Sequence, residues 1–481
     1  MFLAFTVIAL IMVIVGILND NLILAFIAGL LPVLMLVLFL SMERKNWALM
    51  VLFTLNYLIP VTYHYVHGIK LGAVLDLLII FNIMVLVVNL LTRRTTVKRV
   101  SWDVVAVAGL WVFYCFLEVF NPRMIDLDAW LLGIRSMALY LFSILIIVQI
   151  SLESFEDVKS IIRLWSVLSL VAAVKSLTQK FIGFTPGDLY FLNNEGGSVT
   201  HLIFFGIRYF SIFTDAANFG GAMGVSLTVF LIIGLHSKKK AEKIYYWIVA
   251  GLSCYGMFLS GTRSALVVPV AGILLYLLLS RDFKKMVPTA LLLGVIVGML
   301  AFTTVGESNA YIRRARTIFH HEEDLSYVGR KLNQAKLREI MKELPFGNSL
   351  KMSGARGKAY GDTSEIIQIA TDSQFVQVWV ETGAIGLGIF LFVFVYIMVK
   401  GAWLVMFRIK DPEIKGVAAG VLSGTAGLFV MCSNNEVLTQ VPNGIITYMS
   451  LAIVILCSKF DAELREQQAT LPKTEELPDE Q

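Results

Sequence analysis

The feature that most constrains this chain is a recurring one: apolar windows of about 18–22 residues, each long enough to cross a bilayer, set apart by short polar breaks. They fall at 2–18, 22–41, 47–65, 71–92, 103–121, 129–150, 159–179, 216–235, 244–261, 264–280, 286–305, 374–400, 415–433 and 442–459. That makes about fourteen spans by window length. Of the 481 residues, 57% are hydrophobic and only 16% charged, where a soluble domain carries roughly 25% charge. A single water-soluble core cannot bury so much apolar surface, so the expected fold is all-α and polytopic. Residues 1–18 lack a basic n-region and a small-residue cleavage site, and read as a first span.

Basic clusters occur at Arg44–Lys45, Arg93–Arg94–Lys98–Arg99, Lys238–Lys239–Lys240–Lys243, Arg281–Lys284–Lys285 and Arg408–Lys410–Lys415. Even numbers of spans separate them, so they share one side, and the positive-inside rule makes that side cytoplasmic. Both chain ends then lie inside, and the long polar loops at 181–214 and 306–372 lie outside. Much of the net charge of +5 sits in these clusters and is no nucleic-acid signal. The expected division is N-terminal transmembrane helices over 1–200, a transmembrane core over 201–460 that includes loop 306–372, and a disordered cytoplasmic tail over 461–481. The four cysteines match neither a metal spacing nor a disulfide framework, and no metal or cofactor is expected.

The loop from Gly306 to Asp372 is the place for chemistry, because loops on rigid scaffolds carry function. It holds Arg313, Arg314, Arg316, Arg330, Arg338 and Arg356. Within it, Ser326 to Leu344 has a partly apolar helical face, predicting a helix on the membrane surface that Pro345–Phe346–Gly347 stops. Asn348 to Gly361, rich in glycine and basic residues, reads as a mobile flap.

Topology brings Arg208, Arg263, Arg330 and Asp372 to the same outer face. Arg135, about a turn below an outer span end, is a candidate to join them, as are Lys175 and Lys180. Several guanidiniums around one carboxylate make a positive pocket. Arginine suits phosphate because its planar fork donates two parallel hydrogen bonds and stays charged. The carboxylate of Asp372 has the chemistry of a general base. Plainer readings stand beside these. Arg263 is also suited to snorkelling, Arg208 to a clasp with Asp215, Arg330 to a solvated helix surface, and Asp372 to a helix N-cap. His320-His321-Glu322-Glu323 reads as a solvated turn before a metal site. Asp76 and Glu118, inside spans, read as buried and hydrogen-bonded.

These residues resemble the O-antigen ligase and polysaccharide polymerase superfamily over about residues 200–400. The resemblance rests on Arg208-Tyr209-Phe210-Ser211-Ile212-Phe213 leading to Asn218-Phe219-Gly220, on Ser260-Gly261-Thr262-Arg263-Ser264-Ala265, on the Arg330 region leading to Pro345-Phe346-Gly347, and on Asp372 followed by ten residues and Gly383, then Gly386-Leu387. It implies a GT-C-like, metal-independent glycosyltransferase of the bacterial inner membrane. The donor would be an undecaprenyl-diphosphate-linked glycan, and the acceptor a glycan or lipid core. Other surface-polysaccharide assembly proteins are possible partners. The family's arginines bind the diphosphate, which carries over to Arg263 and Arg330 with Arg208 in support. The family's acceptor-activating histidine corresponds to Asp372, a departure that leaves ligase and polymerase open. The rival classes are a lipid-linked oligosaccharide flippase and a non-catalytic part of an export complex. A flippase should place its charges near the bilayer midplane between repeats, and no internal repeat is evident.

Overall fold

The computed structural model describes residues 46–65, 72–203, 206–281 and 325–470 without interruption, and parts of 12–44 and 287–316. Among these the fold is helical, apart from a short hairpin pairing Leu202 with Ile207 and Ile203 with Gly206. Nine described helices are long and apolar enough to cross a membrane: Gly72–Leu91, Trp102–Phe120, Leu127–Ser151, Phe155–Phe181, Ala216–His236, Arg263–Ser280, Gln374–Arg408, Pro412–Met431 and Asn443–Thr470. Asn46–Thr62 is apolar but shorter, and the expected span at 244–261 is the helix Lys240–Leu259, which starts in the lysine cluster. The spans expected at 2–18 and 22–41, most of that at 286–305, and the turn at His320–Glu323 lie outside the described residues.

Ala216–His236, Pro412–Met431 and Asn443–Thr470 are the innermost spans, with 78%, 78% and 83% of their apolar windows buried. Their sequences show why they pack so closely. Gly220 faces Ser260 and Ala265, Gly424 faces Val225 and Val229, and a Cβ on Gly427 would meet the carbonyl oxygen of Val268 at 2.2 Å. In lipid, where apolar burial drives little association, such close backbone approach supplies the packing energy.

Described members of four of the basic clusters meet at one end of the bundle. Lys238 lies 3.7 Å from Asp411 and Arg99 lies 2.7 Å from Glu463. Arg281 stacks over Phe407 at 5.2 Å. The last helix corrects an expectation here: residues 461–470 are not a disordered tail but continue Asn443–Thr470. Asp461, fully buried, accepts the amides of Lys410 (3.0 Å) and Asp411 (2.7 Å) and pairs with Arg465 at 3.0 Å. A buried carboxylate with those partners holds the helix past the apolar run.

At the opposite end the Gln374 helix breaks at Gly383, with φ 70° and ψ −175°. Into that break fits Pro345–Phe346–Gly347. Asn348 donates its amide to the Val380 carbonyl (2.8 Å), and the Tyr114 hydroxyl donates to the Thr382 carbonyl (2.7 Å). Helix carbonyls beside the break are thereby satisfied, as a break within a membrane protein requires. A Cβ at Gly383 would lie 1.9 Å from the Pro345 carbonyl oxygen. Gly383→Ala should therefore cost about 1–3 kcal/mol in backbone strain alone, plus displacement of this segment. It should lower the thermal unfolding midpoint in detergent, whereas Gly388→Ala, with no neighbour within 4 Å, should not.

The segment that follows is also not the flap its composition predicts. Asn348, Ser349, Leu350, Met352 and Ser353 are each 2% exposed or less. This is a buried strap, and what buries it belongs to the site.

Candidate functional site

Arg208 leaves the hairpin and reaches across to the break before the Arg263 helix. It donates to the carbonyl of Thr200 (3.0 Å) and the hydroxyl of Thr262 (2.8 Å). The expected clasp with Asp215 is not formed as a hydrogen bond, because the Asp215 carboxylate caps the amide of Asn218 at 2.9 Å. Gly261, at φ 56°, turns the chain so that Arg263 opens the next helix. A Cβ on Gly261 would sit 3.4 Å from Arg208 Cγ and 3.8 Å from Arg314 Cδ. Burial pushes the Arg208 guanidinium below its usual pKa, Asp215 opposes this, and the positive charges of Arg263 and Arg330 add to the depression. Arg330 comes from the helix Leu325–Ile340. The structure thus brings Arg208, Arg263 and Arg314 together around Gly261, with Arg330 adding to the positive field at Arg208; from sequence alone Arg314 stands only among the loop arginines.

The connection between the last two spans ties this cluster to the start of the Gln374 helix. Ser264, next to Arg263, donates to the side chain of Asn435, and Gln374 donates its amide to the Asn435 carbonyl at 3.3 Å. Asp372 lies two residues before Gln374, exposed, with a left-handed φ of 54°. It is not the helix cap. Ser373 holds the N-cap position without a side-chain cap bond, and its hydroxyl donates to the Cys432 carbonyl at 3.1 Å.

Beside Asp372 a polar stripe enters the fold. Gln374, Gln377 and Glu381 follow at helical spacing, each on the same face. Glu381 is fully buried. It accepts from the Lys351 amide (3.0 Å), the Ser353 hydroxyl (2.5 Å) and Gln377 Nε2 (3.1 Å), and lies 3.7 Å from Arg356 Nη1. Arg356 also pairs with Glu436, which accepts the Thr371 hydroxyl as well. Burial works against the charge of Arg356, but Glu436 and Glu381 outweigh it and hold its pKa above the usual value. For Lys351 the balance is reversed: burial pushes its ammonium down, against the pull of Glu381. Around these groups lies a cavity of about 260 Å³.

Arg135 lines that cavity, in a π-helical turn, paired with Asp76 at 2.6 Å. Asp76 also accepts the Tyr140 hydroxyl (2.6 Å), and the buried Glu118 accepts from Asn121 (2.7 Å). Lys175 and Lys180 go elsewhere. Lys175 pairs with the buried Asp188 at 2.7 Å, and His64 lies 3.2 Å from the same carboxylate. Burial raises the pKa of Asp188, but the bonds from His64, Lys175 and the Thr185 amide outweigh it and hold it well below the usual range. Lys180 donates to Tyr255 at 2.8 Å. Both lysines pin loop 181–214 or its flank, and neither lines the cavity. Sequence reasoning passed over Glu381, Lys351 and Arg356 as site residues. The available signal was a glutamate inside an apolar span, which is costly without partners. Among the described residues, no group of three His, Cys, Asp or Glu side chains is placed to hold a metal.

The O-antigen ligase family model matches residues 248–391. The resemblance to the O-antigen ligase and polymerase superfamily holds over that stretch. The O-antigen ligase match takes in Arg263, Arg330, Lys351, Arg356, Asp372 and Glu381, and leaves Arg135, Lys175, Lys180 and Arg208 outside it. A comparison with curated proteins gave no match. The chain is therefore helical, with the apolar spans of a multi-pass membrane protein, and residues 248–391 are similar to the O-antigen ligase family.

Proposed function

We propose that the protein transfers a glycan from an undecaprenyl-diphosphate carrier to an acceptor hydroxyl, at the non-cytoplasmic face of the bacterial inner membrane, with both chain ends cytoplasmic. The observation that carries this reading is the meeting of Arg208, Arg263, Arg314 and Arg330 at one rim of the bundle. Guanidiniums grouped in this way suit an anion of two phosphates, which accepts their forked hydrogen bonds. The acceptor oxygen attacks the anomeric carbon of the carried sugar and forms the new glycosidic bond. The bond from that carbon to the diphosphate oxygen breaks, and the carrier diphosphate leaves with the electron pair. Arg263 and Arg330 stabilise the charge that grows on it. Asp372, exposed two residues before Gln374, takes the acceptor's proton.

Purified protein in lipid, given lipid-diphosphate glycan and acceptor, tests this reading. Released carrier supports it. Flipped carrier without release makes the protein a transporter, and neither outcome makes it a scaffold. Asp372→Asn should reduce release by roughly 10²–10⁴-fold, the usual contribution of a positioned base. It should leave the fold intact, since Ser373 and not Asp372 occupies the cap. Unchanged release by this variant would move the base elsewhere.

A further inference from the structure

We propose that the cavity beside the arginine rim is a subsite for a single, uncharged, hydroxyl-rich sugar ring, on the acceptor side of the transfer; the assignment rests on the glycosyl-transfer reading above. Six residues carry the argument: Arg135, Lys351, Arg356, Gln377, Glu381 and Thr439, all lining the cavity.

Size comes first. About 260 Å³ falls below the roughly 300–1,000 Å³ of sites for drug-sized ligands. That space takes one sugar ring.

Charge comes second. Three cations, Arg135, Arg356 and Lys351, face three carboxylates: Arg135 pairs with Asp76, Arg356 with Glu436, and Glu381 lies 3.7 Å from Arg356 and accepts the backbone amide of Lys351. A balanced wall offers no surplus attraction to a second anion. What it offers is a mixture of donors and acceptors, and a sugar hydroxyl both donates and accepts. Buried Arg135 Nε and Arg356 Nη1 have no hydrogen-bond partner among the described residues, although Nη1 lies 3.7 Å from Glu381, so both are donors a ring could use.

Preorganisation comes third. Ser349 and Lys351 both hold left-handed backbone, at φ 74° and 64°. Non-glycine residues persist there only when their surroundings dictate it, and such places cluster at ligand clamps. Here Glu381 dictates it, by accepting the Lys351 amide. Its oxygens are occupied by the strap and by Gln377, so Glu381 is a positioning residue. The ammonium of Lys351 remains to meet the ring, and the Thr439 hydroxyl, which donates to Gln374 Oε1 at 3.4 Å, keeps its lone pairs for it. The cavity wall at Thr439–Val441 belongs to the same connection whose Asn435 holds Ser264 and Gln374, which ties the ring's position to Arg263 and Asp372.

The test uses the full chain in lipid nanodiscs and saturation-transfer NMR with free glucose, galactose, mannose, rhamnose, N-acetylglucosamine and glucuronic acid. Ser136→Phe fills the cavity. Among the described residues Ser136 bonds only within its own turn, to the carbonyls of Leu132 and Gly133, so the change breaks no hydrogen bond between helices. Lys351→Met removes the ammonium and keeps the amide that Glu381 accepts. At least one neutral sugar should bind saturably, lose its signal in Ser136→Phe, and bind about tenfold more weakly in Lys351→Met, the scale of one hydrogen bond to a charged group. Lys180→Ala, whose partner is Tyr255, should bind it normally. No neutral sugar sensitive to both cavity variants, or binding by glucuronic acid alone, overturns the proposal. Binding is read without turnover, so a wild-type protein that never releases carrier overturns the transfer reading and leaves the sugar result legible.

Discussion

Arg263→Ala and Arg330→Ala are each expected to slow carrier release by roughly a hundredfold to a thousandfold, equivalent to about 2.7–4 kcal/mol of transition-state stabilisation. The charge on the departing diphosphate grows as the bond breaks, so donors aimed at it act more strongly on the transition state than on the bound donor. The loss should therefore appear in kcat as well as in kcat/KM. Arg263→Lys should recover only part of it, because a lysine keeps the charge and loses the planar fork. The double variant should fall short of the product of the singles if the guanidiniums act on one leaving group as a unit. Arg208→Ala is a poorer probe, since Arg208 also ties Thr200 and Thr262 together, and its loss mixes binding with local structure. Lys180→Ala is the control: its partner is Tyr255, outside the cluster, and release should stay near wild type. Normal release by both arginine variants, with protein present in the membrane, would remove the basis of the transfer assignment.

The spans were legible because membrane helices write themselves as continuous apolar runs, and each expected span in the described stretches has its helix. The common end of the basic clusters was legible for the same reason, since charge between spans has few places to go. Arg263 stood out because Ser-Gly-Thr-Arg-Ser interrupts two apolar runs, and the structure puts a left-handed glycine in that break. The strap at 348–353 was not legible. Its serines, glycines and basic residues have the composition of a loose surface loop, and nothing local announces burial. What buries it is Glu381, thirty residues from Lys351, which itself looks like one charge in an apolar helix. Arg135 and Asp76 are 59 residues apart, and Lys175 finds its partner in the polar loop at Asp188. Pairings between charges distant in sequence leave no periodic trace. The ionisable residues inside or near the spans could be flagged as costly, but their partners could not be named.

Glu381→Ala follows from the same reasoning and is expected to be the most damaging single change to the outer end of the fold. Removing one partner of a buried charge network costs about 3–5 kcal/mol, because the groups left behind are buried without compensation. Three donors lose their acceptor here: the Lys351 amide, the Ser353 hydroxyl and Gln377 Nε2. Arg356 keeps only Glu436, and the left-handed backbone at Lys351 loses what holds it. The strap should open as a unit before the apolar bundle does, because the helix packing around Gly424 and Gly427 does not depend on Glu381. Hydrogen exchange should therefore speed up in the amides of 348–356 while the Ala216 and Pro412 helices stay protected. Glu381→Gln keeps an acceptor oxygen for the amide or hydroxyl and loses the charge that faces Arg356, so it should restore part of that protection. If the strap amides exchange at the wild-type rate in the alanine variant, the segment is held by its apolar contacts at Leu350 and Met352, and the carboxylate has no organising role.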